Sequence, residues 1–369
     1  MFSLIPPVGE PIGRRRSEEL IEWPPGWSAT YLGSGTQALA FGLSSLRPRQ
    51  PERDEVILPA YTCPAVISAI DFCALRPVLV DLEPDSPFPA EQALIDAVGP
   101  RTAAVVAVNF LGVAPPYETL ASAAASRGAA VVYDCCQGWP SAQELAGWSA
   151  VALSFGRGKP VSVTTGGAWL ARGASPGGTE QLAAGRAGSL DSRIRIHNLA
   201  LHPNVFWWLE KLPFLHVGAT RYVELTRLER MSPDGLRLLG TNATRVANAE
   251  PGRLQRELCE AIEDGSMGSF TFPDHVREVA LRRSLLRIPL LARTERLRDE
   301  TLAALRGAGV GASALYQHAL PDIAGLEGRF ARAVPGADGF ARRLLTIPTL
   351  KSRSRVDCDR VMQVLRRTQ

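Results

Sequence analysis

The chain has 369 residues, 46% of them hydrophobic and 21% charged, with a formal net charge of +4. That balance belongs to a folded globular protein with core enough for more than one domain, and it excludes a disordered or low-complexity chain. The 41 Lys and Arg are spread along the sequence, which fits solvation plus a site for an anionic, phosphorylated ligand and speaks against a nucleic-acid-binding stripe.

The N-terminus, Met1-Phe2-Ser3-Leu4-Ile5-Pro6-Pro7, has no charged region ahead of a long apolar run. No signal peptide is therefore expected, and the cytoplasm is the expected compartment. No window is long and apolar enough to span a bilayer. The six cysteines, with Cys135 and Cys136 adjacent, show neither a disulfide framework nor metal-ligand spacing, so reduced thiols and no metal are expected.

Tyr31-Leu32-Gly33-Ser34-Gly35-Thr36-Gln37 is a Gly/Ser/Thr turn that runs into an apolar helix. Such a turn offers backbone N–H groups and hydroxyls at a helix N-terminus, a ready site for a phosphate. Taken alone, it reads sooner as an ordinary N-cap on a core helix than as a phosphate site.

Short apolar runs follow at 56–59, 77–81, 103–109, 129–134, 150–155 and 168–171, separated by segments such as 64–73, 90–98 and 117–126 with apolar residues at helical intervals. Strand, helix, strand repetition predicts a largely parallel sheet covered by helices. Ligands of such sheets collect at the carboxyl ends of the strands, where Asp134 and Lys159 are both expected. Alone, the Asp would be a turn residue and the Lys a solvated loop charge. Their order after the phosphate turn, and before Thr164-Thr165-Gly166-Gly167, is what carries weight. A lysine that can hold an aldehyde as a Schiff base, with a carboxylate to face a pyridine nitrogen, is what pyridoxal 5'-phosphate (PLP) requires.

Ser34-Gly35-Thr36, Asp54 to Thr62, Pro77 to Asp81, Pro100-Arg101-Thr102, Asp134-Cys135-Cys136-Gln137, Ser154-Phe155 with Lys159, and Gly166-Gly167 stand in one order. In this the chain resembles the sugar aminotransferases of the DegT/DnrJ/EryC1/StrS type, within the fold type I (aspartate aminotransferase-like) PLP enzymes. The likeness extends through Leu302 to Gly311, Tyr316 and Ala337 to Pro348, and its most specific part is 31–172.

The resemblance implies an α/β protein: a three-layer large domain with a mostly parallel sheet over 1–240 and a smaller C-terminal α/β domain over 241–369. It implies that Lys159 anchors the cofactor and shuttles the proton, that Asp134 pairs with the pyridine nitrogen, and that Gln137 reaches the phenolic oxygen. Gly35, Thr36 and Ser154 would hold the phosphate. Cys63 stands where the family usually places a ring-stacking aromatic residue, which leaves Tyr61 as the candidate for that role. Gly156 replaces a frequent His. Leu228 stands where an Asn usually comes from the neighbouring subunit, with Arg227 as a substitute.

The stretch 205–215, with Phe206, Trp207, Trp208 and Phe214, lies outside the resemblance and reads as a subunit interface or pocket lid, or as a membrane-surface contact. His197, His202 and His216 lack metal spacing and are expected to be structural or pocket-lining.

The implied activity is transfer of an amino group, with glutamate as donor, to a nucleotide-linked keto sugar, by a homodimer and without nucleic acid. A cyclitol aminotransferase or a PLP-dependent sugar dehydratase is the rival within enzymes, and Lys rather than His at 159 argues against the dehydratase. A PLP-fold binding or regulatory subunit without turnover is the rival of another class.

Overall fold

A computed structural model describes residues 4–6, 9–19, 21–46, 52–173, 182–185, 190–212, 220–247, 249–331, 333–349 and 354–369. From residue 27 the chain runs β1 (Trp27–Leu32), α1 (Gly35–Ser44), β2 (Glu55–Pro59), α2 (Ala65–Phe72), β3 (Arg76–Val80), α3 (Glu91–Ala97) and β4 (Thr102–Val108). It continues through α4 (Leu120–Ser126), β5 (Ala130–Asp134), α5 (Ala142–Gly147), β6 (Ala150–Ser154) and β7 (Gly167–Arg172). These strands form one seven-stranded sheet in the order β1-β7-β6-β5-β4-β2-β3.

Strands β2 to β6 pair in parallel, as their Val-rich, turn-bounded runs require when both faces are covered. The far edge departs from that rule: β7 runs antiparallel to both β6 and β1. Strand β1 was not among the expected strands, because Trp27-Ser28-Ala29-Thr30-Tyr31-Leu32 mixes polar and apolar residues as an edge strand does.

The period-two alternation of the strands sorts the core into two layers. On β4, Ala104 and Val106 join one apolar cluster with Leu39 of α1 and Ile67 of α2, while Val105 and Ala107 face the other with Leu94 of α3 and Leu120 of α4. Gly42 is required where α1 crosses the sheet, since a Cβ there would enter the Trp169 ring. Gly42→Ala should lower stability by about 1–3 kcal/mol from overpacking, outweighing the ~1 kcal/mol that Ala gains in a helix. Urea unfolding would register this as a lower midpoint; an unchanged midpoint would mean that Trp169 yields freely.

Beyond the sheet come α6 (Leu190–Ala200), α7 (Pro203–Lys211), α8 (Pro233–Ala247) and α9 (Arg253–Glu263). The rest comprises β8 (Phe270–Thr271), α10 (Val276–Arg282), β9 (Ile288–Ala292), α11 (Glu295–Gly307), α12 (Pro335–Arg343), β10 (Leu344–Ile347) and α13 (Arg355–Arg367). Strands β8, β9 and β10 make a three-stranded antiparallel sheet in the order β10-β9-β8. Residue 240, the expected boundary, lies inside α8.

The two sheets are tied together at several points. Asp81, just past β3, accepts the Gly336 and Ala337 amides at the start of α12, both at 2.8 Å, a carboxylate cap that also suits the helix dipole. Near the N-terminus, the Ile5 amide donates to Gly309 O at 2.9 Å and its carbonyl accepts from the Gly311 amide at 2.8 Å.

Candidate active site

Sheet order places β5 beside β6 with Asp134 opposite Ala152, so Asp134 and Ser154 finish adjacent parallel strands at the same edge of the sheet. The α1 N-terminus comes to this edge from the other side. Its cap, Ser34, is extended, and its Oγ accepts the Gln37 amide at 3.2 Å while its carbonyl takes the Ala38 amide at 3.0 Å. The helix itself supplies no acceptor for the Thr36 amide ahead of them. Gly166 and Gly167 hold the turn from below: the Gly166 amide donates to Gly33 O at 2.9 Å, and a Cβ on Gly167 would strike the Ser34 carbonyl.

Gly35 is tightly packed as well. A Cβ there would lie 2.6 Å from the Ser154 Cβ and 2.7 Å from the Cys136 Sγ. Cys136 in turn donates its amide to Asp134 Oδ1 at 2.9 Å, and its thiol is hydrogen-bonded to the same carboxylate. Burial pushes that thiol well above its ordinary pKa, with Asp134 adding to the rise and the Lys159 ammonium opposing it. Cys136 is therefore a neutral donor wedged between the helix start and Asp134. Asp134 itself is only 5% exposed.

Gln137, three residues on, is held at both ends of its amide. Its Oε1 accepts the Leu111 amide at 3.0 Å and its Nε2 donates to the Tyr316 hydroxyl at 2.5 Å. Tyr316 comes from the segment between α11 and α12, so this contact spans the two sheets. Burial raises its pKa well above that of a free phenol, with Cys63, Tyr61 and Asp134 nearby adding to the effect. Tyr61 packs edge-on against Tyr316 and Phe340, with ring centroids 5.5 and 5.2 Å apart, and its hydroxyl donates to Tyr316 O at 2.9 Å.

Lys159 is half-buried on the loop after β6 and lines a cleft of ≈ 830 Å³ together with Gln137, Trp139, Asn198, His202 and Arg283. Arg283 is fixed by Glu144 at 3.0 Å and by the Trp139 carbonyl at 2.6 Å. Ile5, Glu10 and Pro11 from the N-terminal segment form part of the wall, which nothing in their residue types signalled in advance.

All seven expected site residues thus gather at one sheet edge: Gly35, Thr36 and Ser154 around the helix start, Asp134 and Gln137 below it, Tyr61 behind Tyr316, and Lys159 at the cleft. Sequence reasoning missed Cys136 as the spacer between Gly35 and Asp134; the adjacent cysteines were its only trace. It also missed the Leu111 amide, which a left-handed backbone at Leu111 (φ 54°) turns toward Gln137.

Arg227 pairs with Glu229 at 2.5 Å, and the Glu229 backbone binds Gln37 Oε1 and Gly33, so this strip lies along its own chain's turn. His202 lines the cleft and His216 lies outside the described residues. His197 has its pKa lowered by burial and by Arg157. Helix α7 buries none of its residues; Trp207 and Trp208 touch edge-on at 4.9 Å, and 213–215 lie outside the described residues. No helix among the described residues is long and apolar enough to cross a membrane, and among them no cluster could hold a metal ion.

The residues present suit PLP. Gly35 lets the start of α1 pack directly on Ser154 and Cys136, and a buried carboxylate (Asp134), an amide donor (Gln137) and an amine (Lys159) are the groups that the cofactor's pyridine nitrogen, phenolic oxygen and aldehyde would need. This sheet order is that of the aspartate aminotransferase-like fold, fold type I. Residues 27–174 of the chain match the model of the DegT/DnrJ/EryC1/StrS aminotransferase family.

Among curated proteins it is similar to protein MosB of Rhizobium meliloti, 34% identical over 33% of this chain and 23% of that protein. It is also similar to GDP-perosamine synthase of Vibrio cholerae, 30% identical over 30% of this chain and 29% of the synthase. The matched stretch is thus a quarter to a third of these relatives' length. Two solved structures share the fold over 92% of this chain. The aminotransferase TlmJ of Streptoalloteichus hindustanus is covered over 85% of its length, with 20% identity and a TM-score of 0.63. Ntda of Bacillus subtilis with bound cofactor PMP is covered over 73%, with 18% identity and a TM-score of 0.65.

Proposed function

We propose that the protein is a PLP-dependent aminotransferase that moves an amino group from glutamate to a nucleotide-linked keto sugar, as a step in making a polysaccharide or a glycosylated metabolite. The observation that carries this reading is that Asp134 and Ser154 end adjacent strands against the start of α1 at Gly35, with Gln137 and Lys159 lining one cleft. Relatives named GDP-perosamine synthase and dTDP-3-amino-3,4,6-trideoxy-alpha-D-glucose transaminase support a nucleotide-linked sugar as acceptor.

Bound there, the cofactor supplies an electron sink for a carbanion beside the amino nitrogen. The chain's own residues do the rest. The Thr36 amide, the helix dipole and the Ser154 hydroxyl bind the phosphate. Buried Asp134 keeps a proton on the ring nitrogen, because two adjacent charges of opposite sign are mutually stabilising where water is scarce. Gln137 points an N–H toward the phenolic oxygen. Lys159 would anchor the cofactor and be the group that takes up and returns the substrate's proton.

A homodimer belongs to the same reading. Ile196 and Leu199 on α6 and Trp208 on α7 are 67%, 61% and 62% exposed, an apolar surface of the kind that subunits cover. A cytoplasmic location is part of the same proposal.

The test is to load the purified protein with PLP, add L-glutamate, and follow the visible cofactor band and the release of 2-oxoglutarate. Loss of the band with keto-acid release, followed by its return when a nucleotide keto sugar is added, is the expected result. A band that glutamate leaves unchanged would reject glutamate as donor, and the absence of any band would favour a binding subunit.

A further inference from the structure

Gln137 is not a free side chain waiting for a ligand. Its carbonyl oxygen takes the Leu111 amide at 3.0 Å, which fixes the sense of the side-chain amide: Oε1 faces Leu111 and Nε2 must face the other way. On that side stands the Tyr316 hydroxyl, 2.5 Å from Nε2, and Tyr316 shares a further hydrogen bond with Cys63. A phenol oxygen can accept from Gln137 while also bonding Cys63, so Leu111, Gln137, Tyr316 and Cys63 stand in one hydrogen-bonded chain. One Nε2 proton is used by Tyr316 and one is left over. Tyr316 is itself immobile: its backbone carbonyl accepts the Tyr61 hydroxyl at 2.9 Å, and its amide donates to the same hydroxyl at 3.3 Å.

We infer that Tyr316 is a positioning residue for the cofactor: by holding one N–H of Gln137, it aims the other at the phenolic oxygen and so sets the proton equilibrium of the lysine-bound PLP. This rests on the aminotransferase reading and deepens it. Cys63 completes the device. Its thiol is hydrogen-bonded to the Tyr316 hydroxyl beside the contact with Gln137. A hydrogen bond to the phenolic oxygen favours its anionic form, so a misdirected Gln137 should make the bound chromophore hold its proton to higher pH.

The experiment titrates the visible band of the PLP-loaded protein with pH, and measures PLP affinity by adding cofactor to the apoprotein. The variants are Tyr316→Phe, Gln137→Leu and the two combined. Tyr316→Phe removes one oxygen and keeps the ring contacts with Tyr61. It should move the band's midpoint upward by about half a pH unit or more and weaken PLP binding about fivefold, the scale of one lost hydrogen bond. The double variant should be no worse than Gln137→Leu alone, because Tyr316 acts only through Gln137.

If wild type shows the Lys159-dependent band but Tyr316→Phe titrates and binds PLP as wild type does, the inference is overturned and the aminotransferase reading stands. Additive effects in the double variant would likewise overturn it, since they would give Tyr316 an effect independent of Gln137. If wild type itself forms no such band, both fall.

Discussion

Lys159→Ala should lose at least about a thousandfold in transamination, because one substitution removes both the covalent anchor and the group that moves the proton. The loss should fall on kcat, since the helix start, Ser154, Asp134 and Gln137 still bind the cofactor. Lys159→Arg should not rescue it: a guanidinium keeps its proton at any working pH and cannot serve as base or nucleophile. The half-buried Lys159 makes no side-chain hydrogen bond among the described residues, so the variant should unfold at the wild-type temperature. Stopped assays of 2-oxoglutarate release, together with a thermal melt, would check this. Residual turnover within tenfold of wild type would remove Lys159 from the chemistry.

Gly35→Ala should damage the site by the addition of a single methyl group. The new Cβ would sit 2.6 Å from one short side chain and 2.7 Å from another, on strand ends that cannot move independently of the sheet. Relief would require the helix start to lift away from Ser154, and the phosphate-binding amides would go with it. Cofactor affinity should therefore fall at least about tenfold, equivalent to ~1.4 kcal/mol, with global stability lower by about 1–3 kcal/mol. Adding Cys136→Ala removes one of the two clashing atoms and should restore part of the affinity. Fluorescence titration of the apoprotein with PLP would show both effects. Unchanged affinity in Gly35→Ala would mean that the phosphate does not bind at this helix.

Much of this site could be read in advance because its parts stand at strand and helix ends, where a short apolar run meets a residue that a strand cannot use. Asp134 after Ala130-Val131-Val132-Tyr133, and Ser154 after Val151-Ala152-Leu153, are of this kind. The sheet's parallel centre follows from the same runs. Strand β1 was illegible because its burial comes from pairing with β7 across many residues rather than from its own pattern. Tyr316 is recognisable by place but not by partner: its hydrogen bond to Gln137 joins residues 179 positions apart. The N-terminal cleft wall is hidden for a similar reason. Its hold on Gly309 and Gly311 is made by backbone groups, which every residue type carries.

The Asp81 cap on α12 sets a limit on how this chain can be divided. One carboxylate at the end of a large-sheet strand neutralises the first turn of a helix that packs on the small sheet, and one apolar cluster runs without a break from Ile67 and Leu79 to Phe340 and Ile347. Either half made alone would carry a bare hydrophobic flank and, on one side, an uncapped helix. The two lobes are accordingly distinct in architecture but continuous in packing, with one apolar core shared between them.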